Sequence, residues 1–140
     1  MMARMGTESS FEKVYIGVID DDQSICRSMS RLLRAARFEP VTYLSAESFL
    51  ADRSHPKFGC LVLDVRLKGI SGLELRQRLS AVHDSTPVIF ITAHEDPAVR
   101  LQAEALGCDG FFQKTASGTD ILARLRRITG REATASGGNT

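Results

Sequence analysis

Five short apolar segments alternate with helical patterns along this chain, and this alternation constrains the fold more than any other feature. Each apolar segment has the length of a β-strand. The segments are Tyr15–Asp20, Pro40–Leu44, Cys60–Asp64, Val88–Thr92 and Gly110–Gln113. Apolar residues at helical spacing lie between and after them, as at Ile25, Met29, Leu32, Leu33 and Ala36. Apolar strands joined by helices favour a parallel sheet covered on both faces, so we expect a doubly wound α/β domain.

Capping signals mark the starts of several predicted helices. Side-chain oxygens at these positions can accept hydrogen bonds from the first backbone N–H groups of a helix. Gly107 is placed to close the fourth helix. The expected caps are Asp22, Ser71 with Glu74, Asp96 before Pro97, and Ser117 with Asp120.

Length and charge limit the classes of protein to consider. The 140 residues are 43% hydrophobic, which is enough for one core but not for two domains. We assign the domain to residues 14–130 and expect flexible tails at 1–13 and 131–140, where polar residues lack periodicity. The 18 Lys and Arg residues nearly balance the 17 Asp and Glu residues, which argues against direct contact with nucleic acid.

Membrane insertion and disulfide bonding are both disfavoured by the sequence. No apolar segment is long enough to cross a bilayer, and the N-terminus lacks the apolar core of a signal peptide. We therefore expect a protein that works in the cytoplasm without membrane contact. Cys26, Cys60 and Cys108 form no CxxC or Cys/His cluster, so we interpret them as small buried or half-buried side chains.

The ends of four predicted strands carry polar or charged residues. Ligands of doubly wound sheets bind beyond the carboxyl ends of the strands, so these residues should lie near one another. Taken singly, each also fits an ordinary loop or helix cap, and Asp22 fits a cap best. The joint pattern favours a functional site. Its members are Asp20, Asp21, Asp64, Thr92 and Lys114.

The crowding of carboxylates predicts a bound cation. Neighbouring carboxylates raise one another's pKa values unless a cation offsets them, and Lys114 alone supplies too little charge. Mg²⁺ fits because it prefers oxygen ligands and is commonly bound by one or two carboxylates with phosphate oxygens. Asp64 is then a nucleophile toward a phosphoryl group, whose charge the Thr92 hydroxyl and the Lys114 ammonium share.

From about Val14 to Ile128 the chain resembles the receiver domains of bacterial two-component response regulators. Five motifs in the family's order carry this resemblance, and two stretches, Ser45-Ala46-Glu47-Ser48-Phe49-Leu50 and Ile91-Thr92-Ala93-His94, are most similar to the FixJ type. The five motifs are Val18-Ile19-Asp20-Asp21-Asp22, Leu61-Val62-Leu63-Asp64, Ser71-Gly72-Leu73-Glu74-Leu75, Ile91-Thr92-Ala93 and Lys114.

The resemblance implies a CheY-like, flavodoxin-like (βα)5 fold with five parallel strands in the order 2-1-3-4-5. It also implies a phosphoacceptor at Asp64. Asp21, Asp64 and the backbone carbonyl of Arg66 would bind Mg²⁺, with Asp20 assisting through water, and Lys114 would contact the phosphoryl group.

The resemblance further implies a switch. After phosphorylation Thr92 would move toward the new oxygens, and Phe111, at the switch-aromatic position, would turn inward. The surface of the fourth helix, fifth strand and fifth helix would change as a result. Arg66, Lys68 and His94 flank the acceptor and are candidates for tuning the lifetime of the phosphorylated state.

Two positions depart from the family pattern. Thr115 follows Lys114 where the family usually has proline after a cis peptide bond, and a cis bond before threonine would cost roughly 3–4 kcal/mol. We therefore expect a trans bond, a shifted loop after the fifth strand, and either weaker phosphorylation or an altered switch surface. Lys68 stands where proline is more common, as a solvated residue or as positive charge beside the acceptor.

The expected partners are a sensor histidine kinase or phosphotransfer protein and an output protein, with a homodimer left open. On this interpretation the chain is a phosphoacceptor that promotes its own phosphorylation and dephosphorylation rather than an enzyme. Alternatives are a receiver cut from a DNA-binding regulator and a constitutive module that is not phosphorylated. A phosphohydrolase is disfavoured because its general acid would stand at Arg66.

Overall fold

The computed structural model describes residues 12–131, and the expected tails fall mostly outside these residues. Five strands and five helices alternate, as the sequence predicts. The strands are β1 Tyr15–Ile19, β2 Glu39–Tyr43, β3 Phe58–Asp64, β4 Val88–Thr92 and β5 Gly110–Gln113. The helices are α1 Gln23–Ala35, α2 Ala46–Ala51, α3 Gly72–Ala81, α4 Pro97–Ala105 and α5 Gly118–Thr129.

The strands form one parallel sheet in the order β2-β1-β3-β4-β5, which confirms the predicted topology. Alternate side chains of β3 enter opposite cores, because successive residues of a strand point to opposite faces. Cys60 and Val62 pack with α1 and α5, whereas Leu61 and Leu63 pack with α2, α3 and α4. This burial on both faces explains why the strands are continuously apolar.

Side-chain caps begin the helices largely as predicted. Asp22, Ser71, Asp96 and Ser117 are the N-caps of α1, α3, α4 and α5. The expected reciprocal contact from Glu74 to the Ser71 backbone is replaced by a salt bridge of 2.9 Å to Arg78. Ser117 accepts from the Thr119 amide at 3.1 Å. After α4, Gly107 has a φ of +83°, as expected for a closing glycine.

The prediction that the three cysteines are small buried or half-buried side chains is confirmed. Cys26 and Cys60 are buried, Cys108 is half-buried, and all three are free thiols. At the far end of α5, Arg131 donates to the backbone carbonyls of Arg37 and Glu12. These bonds tie the two ends of the described chain to the same edge of the domain, opposite the carboxyl ends of the strands.

Candidate functional site

Three strand ends bring polar side chains to one edge of the sheet. Asp20 follows β1, Asp64 ends β3 and Thr92 ends β4. Their exposed fractions are 0%, 3% and 2%, so all three lie inside the domain although they are polar. Buried polar residues need partners, because desolvation without a hydrogen bond or a counter-charge is costly. The contacts of these residues therefore determine what the site can do.

A cluster of carboxylate oxygens occupies this edge. One oxygen each from Asp20, Asp21 and Asp64 lies within 4.8 Å of the other two. Asp20 Oδ1 accepts from the Asp22 amide at 2.9 Å, and Asp64 Oδ1 accepts from the Arg66 amide at 3.0 Å. Asp20 Oδ2 is fully buried and has no hydrogen-bond partner. A cluster of three carboxylates that offers only oxygen ligands fits a hard cation such as Mg²⁺.

Lys114 brings positive charge to the same cluster from the segment after β5. Its Nζ lies 2.9 Å from Asp20 Oδ2 and 3.0 Å from Asp64 Oδ2, and only 17% of the lysine side chain is exposed. The approach to Asp20 is an ion pair without hydrogen-bond geometry. One ammonium thus faces three carboxylates, and the cluster carries excess negative charge.

The pKa values of Asp64 and Lys114 are both raised, for different physical reasons. Burial raises the pKa of Asp64, and it outweighs the lowering effect of the hydrogen bonds from Lys114 and the Arg66 amide. Burial acts to lower the pKa of Lys114, but the carboxylates of Asp20 and Asp64 overcome it and raise that pKa. Both groups hold their protons more tightly than usual, Asp64 chiefly because it is buried and Lys114 because two carboxylates lie beside it.

The loop between β3 and α3 is fixed by backbone contacts on both sides. The Lys68 amide approaches Asp21 Oδ2 at 3.4 Å, and the Ile70 amide donates to Glu47 Oε2 of α2 at 2.9 Å. At Gly72 a Cβ atom would lie 2.0 Å from the Asp64 carbonyl oxygen. Only glycine therefore lets α3 begin so close to the end of β3.

Comparison with known proteins identifies the family of this site. The family model described as the response regulator receiver domain matches residues 16–126. The chain belongs to the response regulator receiver family. This receiver is 36% identical over 122 residues to the transcriptional regulatory protein FixJ of Azorhizobium caulinodans, covering 87% of this chain and 58% of FixJ.

Two further proteins support the assignment. The response regulator protein TmoT of Ectopseudomonas mendocina is 33% identical over 111 residues, which cover 79% of this chain and 50% of TmoT. The structure of the BeF3-activated DrrB receiver domain is 31% identical, with a TM-score of 0.77, and the match covers 86% of this receiver and all of that chain. This receiver therefore spans about half the length of the curated relatives it matches.

Membership of this family indicates a general function, a preferred metal and a class of partner. Receiver domains act in two-component signalling, generally bind Mg²⁺ at an acidic pocket, and imply a histidine kinase or phosphotransfer partner. The carboxylate cluster supplies such a pocket in this receiver. Within residues 12–131, no helix is long and apolar enough to span a membrane.

The Thr92 hydroxyl is directed away from the carboxylates in this structure. Its Oγ1 donates to the backbone carbonyl of His94 at 2.9 Å, within the loop that leads to α4. The backbone carbonyl of Thr92 accepts from the Lys114 amide at 2.7 Å, which fixes the two strand ends together. Contact between the Thr92 hydroxyl and a group on Asp64 would require the hydroxyl to break its hydrogen bond with the His94 carbonyl.

Phe111 lies half-buried on β5 beneath an arginine. The Arg100 guanidinium carbon is 4.6 Å from the centroid of the Phe111 ring, within the range of a cation–π contact. Glu95 holds Arg100 at 3.1 Å and also accepts from Gln113 at 3.3 Å. The aromatic ring is thus covered by a polar network from α4 and the loop before it.

The remaining predicted residues surround the cluster on exposed loops. Arg66 forms a salt bridge of 3.3 Å with Asp96, whereas Lys68 and His94 project their side chains into exposed positions. Among the described residues no peptide bond is cis, so the bond before Thr115 is trans, as expected.

Sequence reasoning missed three contributors. Asp96 was expected only as a helix cap, but it also pairs with Arg66. Glu47 was noticed within a family motif, yet its bond to the loop after β3 has no local signal because it joins residues 23 positions apart. Cys26 was treated as core packing, but its Sγ also lies 3.3 Å from the Asp20 carbonyl oxygen.

Proposed function

We propose that this receiver accepts a phosphoryl group on Asp64 from a histidine kinase or phosphotransfer protein. The observation that carries the proposal is the contact of Asp64 with both Lys114 and the acidic cluster at a buried strand end. A carboxylate attacks phosphorus without a general base, so the site needs positioning and charge compensation rather than a proton acceptor. The proposal retains the cytoplasmic location expected from the sequence.

The proposed reaction takes place at one carboxylate oxygen of Asp64. A carboxylate oxygen forms a bond to phosphorus while the bond from phosphorus to the donor breaks, and the donor leaves with that electron pair. Lys114 already contacts Asp64 Oδ2 at 3.0 Å and is placed to neutralise oxygens of the incoming group. The Arg66 amide holds Asp64 Oδ1 at 3.0 Å, so Oδ2, the oxygen that Lys114 contacts, would bond to phosphorus as the ammonium moves to the phosphoryl oxygens.

Asp20, Asp21, Asp64 and the carbonyl of Arg66 would hold Mg²⁺. When bound, the ion supplies positive charge that offsets the carboxylates and the phosphoryl oxygens. The clustering of three carboxylates around the single ammonium of Lys114 supports a requirement for such charge. On this proposal the chain is a phosphoacceptor and not an enzyme acting on a separate substrate.

The proposed output is a changed binding surface on α4, β5 and α5. Thr92 would exchange the His94 carbonyl for a phosphoryl oxygen, and Phe111 would turn inward from beneath Arg100. The receiving partner would be an output protein, an output region of a longer chain as in a transcriptional regulator, or a second copy of the receiver. Direct contact with nucleic acid is not part of the proposal.

The decisive experiment is intact-protein mass spectrometry after incubation with acetyl phosphate, with and without Mg²⁺. We expect one Mg²⁺-dependent phosphoryl adduct on the parent and none on Asp64→Asn. Asp22→Asn is a matched control because it also neutralises one aspartate near the site while keeping a good helix cap. The control should be labelled like the parent.

Two outcomes would count against the proposal. Labelling of Asp64→Asn would place the acceptor elsewhere. A parent that takes no adduct from acetyl phosphate or from a donor kinase would favour a constitutive interaction module, with Thr115 after the site lysine as the first suspect. The observation that favours a constitutive interaction module is the trans bond before Thr115, which departs from the family pattern.

A further inference from the structure

Arg66 is the one described residue whose hydrogen bonds reach both the proposed acceptor and the start of α4. Its backbone N–H donates to Asp64 Oδ1 at 3.0 Å, and its Nη2 lies 3.3 Å from Asp96 Oδ2. The side chains of Arg66 and Asp96 are 64% and 40% exposed. Arg66 therefore links the proposed phosphoacceptor to the N-terminus of α4. Its contact with Asp96 is exposed, so water can readily replace it.

The two carboxylate oxygens of Asp96 have different partners. Oδ1 accepts from the Ala98 amide at 3.1 Å and caps α4, while Oδ2 faces Arg66. The first turn of α4 contains no other acidic residue. The neighbouring Glu95 is already paired with Arg100. Asp96 is thus the carboxylate through which the charge of Arg66 acts on α4.

Phosphorylation of Asp64 would place a competing anion beside Arg66. A phosphoryl group carries about −1.5 to −2 charges near neutral pH, and arginine binds phosphate oxygens with charge-assisted, often bidentate hydrogen bonds. An exposed arginine–aspartate pair contributes little by comparison. The anion with the larger charge should therefore take the guanidinium.

We propose that Arg66 exchanges Asp96 for the phosphoryl group and so transmits phosphorylation to the N-terminus of α4. This inference rests on the proposed role of Asp64 and adds a route of regulation to the same site. Release of Asp96 loosens the loop of residues 93–96, which also contains the His94 carbonyl that Thr92 must leave. The movement of Thr92 and the release of Asp96 then act on one loop and favour each other.

Breakage of the Arg66–Asp96 pair is coupled to binding of the mimic, and this coupling gives the direction of each expected change in affinity. In the parent, binding of a phosphoryl mimic must break the Arg66–Asp96 pair, so the pair opposes binding. Asp96→Asn removes the opposing charge and keeps a good N-cap, and the mimic should bind roughly twofold to fivefold more tightly. Arg66→Gln removes the residue that would contact the mimic and should weaken binding.

The test is a double-mutant cycle with beryllofluoride and Mg²⁺ as the mimic, followed by amide NMR. Binding constants would be measured for the parent, Asp96→Asn, Arg66→Gln and the double variant, with the Ala98 amide as reporter of the cap. We expect the gain from Asp96→Asn to disappear in the Arg66→Gln background. We also expect the Ala98 signal to shift on binding in the parent and much less in Arg66→Gln.

Glu74→Gln serves as the matched control because it removes the exposed Glu74–Arg78 pair of 2.9 Å on α3. Its binding constant should equal that of the parent. If the parent binds the mimic but Asp96→Asn has the same effect in both backgrounds, or none, the exchange is overturned while the proposed function stands. If the parent does not bind, both proposals fail.

Discussion

Replacement of Lys114 by methionine tests the charge balance of the site most directly. The lysine lies 2.9 Å from Asp20 and 3.0 Å from Asp64, whose side chains are 0% and 5% exposed. Removal of one member of a buried pair typically costs about 3–5 kcal/mol because the remaining charge is left uncompensated. Here the side chain of Lys114 is 17% exposed and Asp64 can take up a proton, so we expect a loss of about 2–3 kcal/mol.

The assay is urea unfolding followed by far-UV circular dichroism, at neutral pH in EDTA and again with Mg²⁺. Mg²⁺ binding to the native state should recover more unfolding free energy in Lys114→Met than in the parent. The variant should also regain stability toward mildly acidic pH. The pKa of Asp64 is already raised in the folded parent. A raised folded-state pKa contributes stability that is lost as pH rises through it.

Lys68→Met is the matched control, since Lys68 is exposed beside the same site. It should change the unfolding free energy by less than about 0.5 kcal/mol. Equal stability of Lys114→Met and the parent in EDTA would refute the reasoning. So would a loss that neither Mg²⁺ nor lower pH reduces.

Two further predictions concern packing and thiol chemistry. Gly72→Ala should lower the unfolding free energy by at least about 2 kcal/mol, since the new Cβ would meet the Asp64 backbone at 2.0 Å. Gly118→Ala, which meets only the Leu32 side chain at 2.9 Å, should cost less in the same thermal unfolding experiment. Burial raises the pKa of Cys60 to about 12. Iodoacetamide should therefore modify the half-buried Cys108 first and spare Cys60 until the protein unfolds, as peptide mapping would reveal.

Periodic patterns made most of the fold predictable. Each strand was placed within two residues of its observed ends, because runs of apolar residues bounded by polar ones have few other interpretations. The error at β3 is instructive. The strand begins at Phe58 rather than Cys60. Gly59 breaks the apolar run in the sequence and is skipped in the pairing with β1, since Phe58 pairs with Tyr15 and Cys60 pairs with Ile16.

The meeting of strand ends could be inferred from topology, but the contacts within the site could not. A parallel sheet brings Asp20, Asp64 and Thr92 to one edge whatever the loops do. The partner of Arg66 is 30 residues away on another loop, and it depends on the path of both loops. The direction of the Thr92 hydroxyl likewise depends on a local rotamer. Such details carry no periodic signal.

The burial of the site separates a rigid part from a part that can rearrange. Asp20 and Asp64 are anchored at buried strand ends, so their excess negative charge cannot be relieved by movement and must be met by a proton or a cation. By contrast, the pairs made by Arg66 and Arg100 are exposed, and each contributes little to stability.

If Asp64 is phosphorylated as proposed, the added anion would reorganise the exposed pairs of Arg66 and Arg100 without moving the buried strand ends. The strand ends keep Asp64 in place through the pairing of β3 with β1 and β4. On this proposal the weak pairs would exchange partners at low cost, and α4 and the ring of Phe111 would respond because those pairs contact them. This division explains how a local charge change at Asp64 could alter a distant surface while the sheet stays fixed.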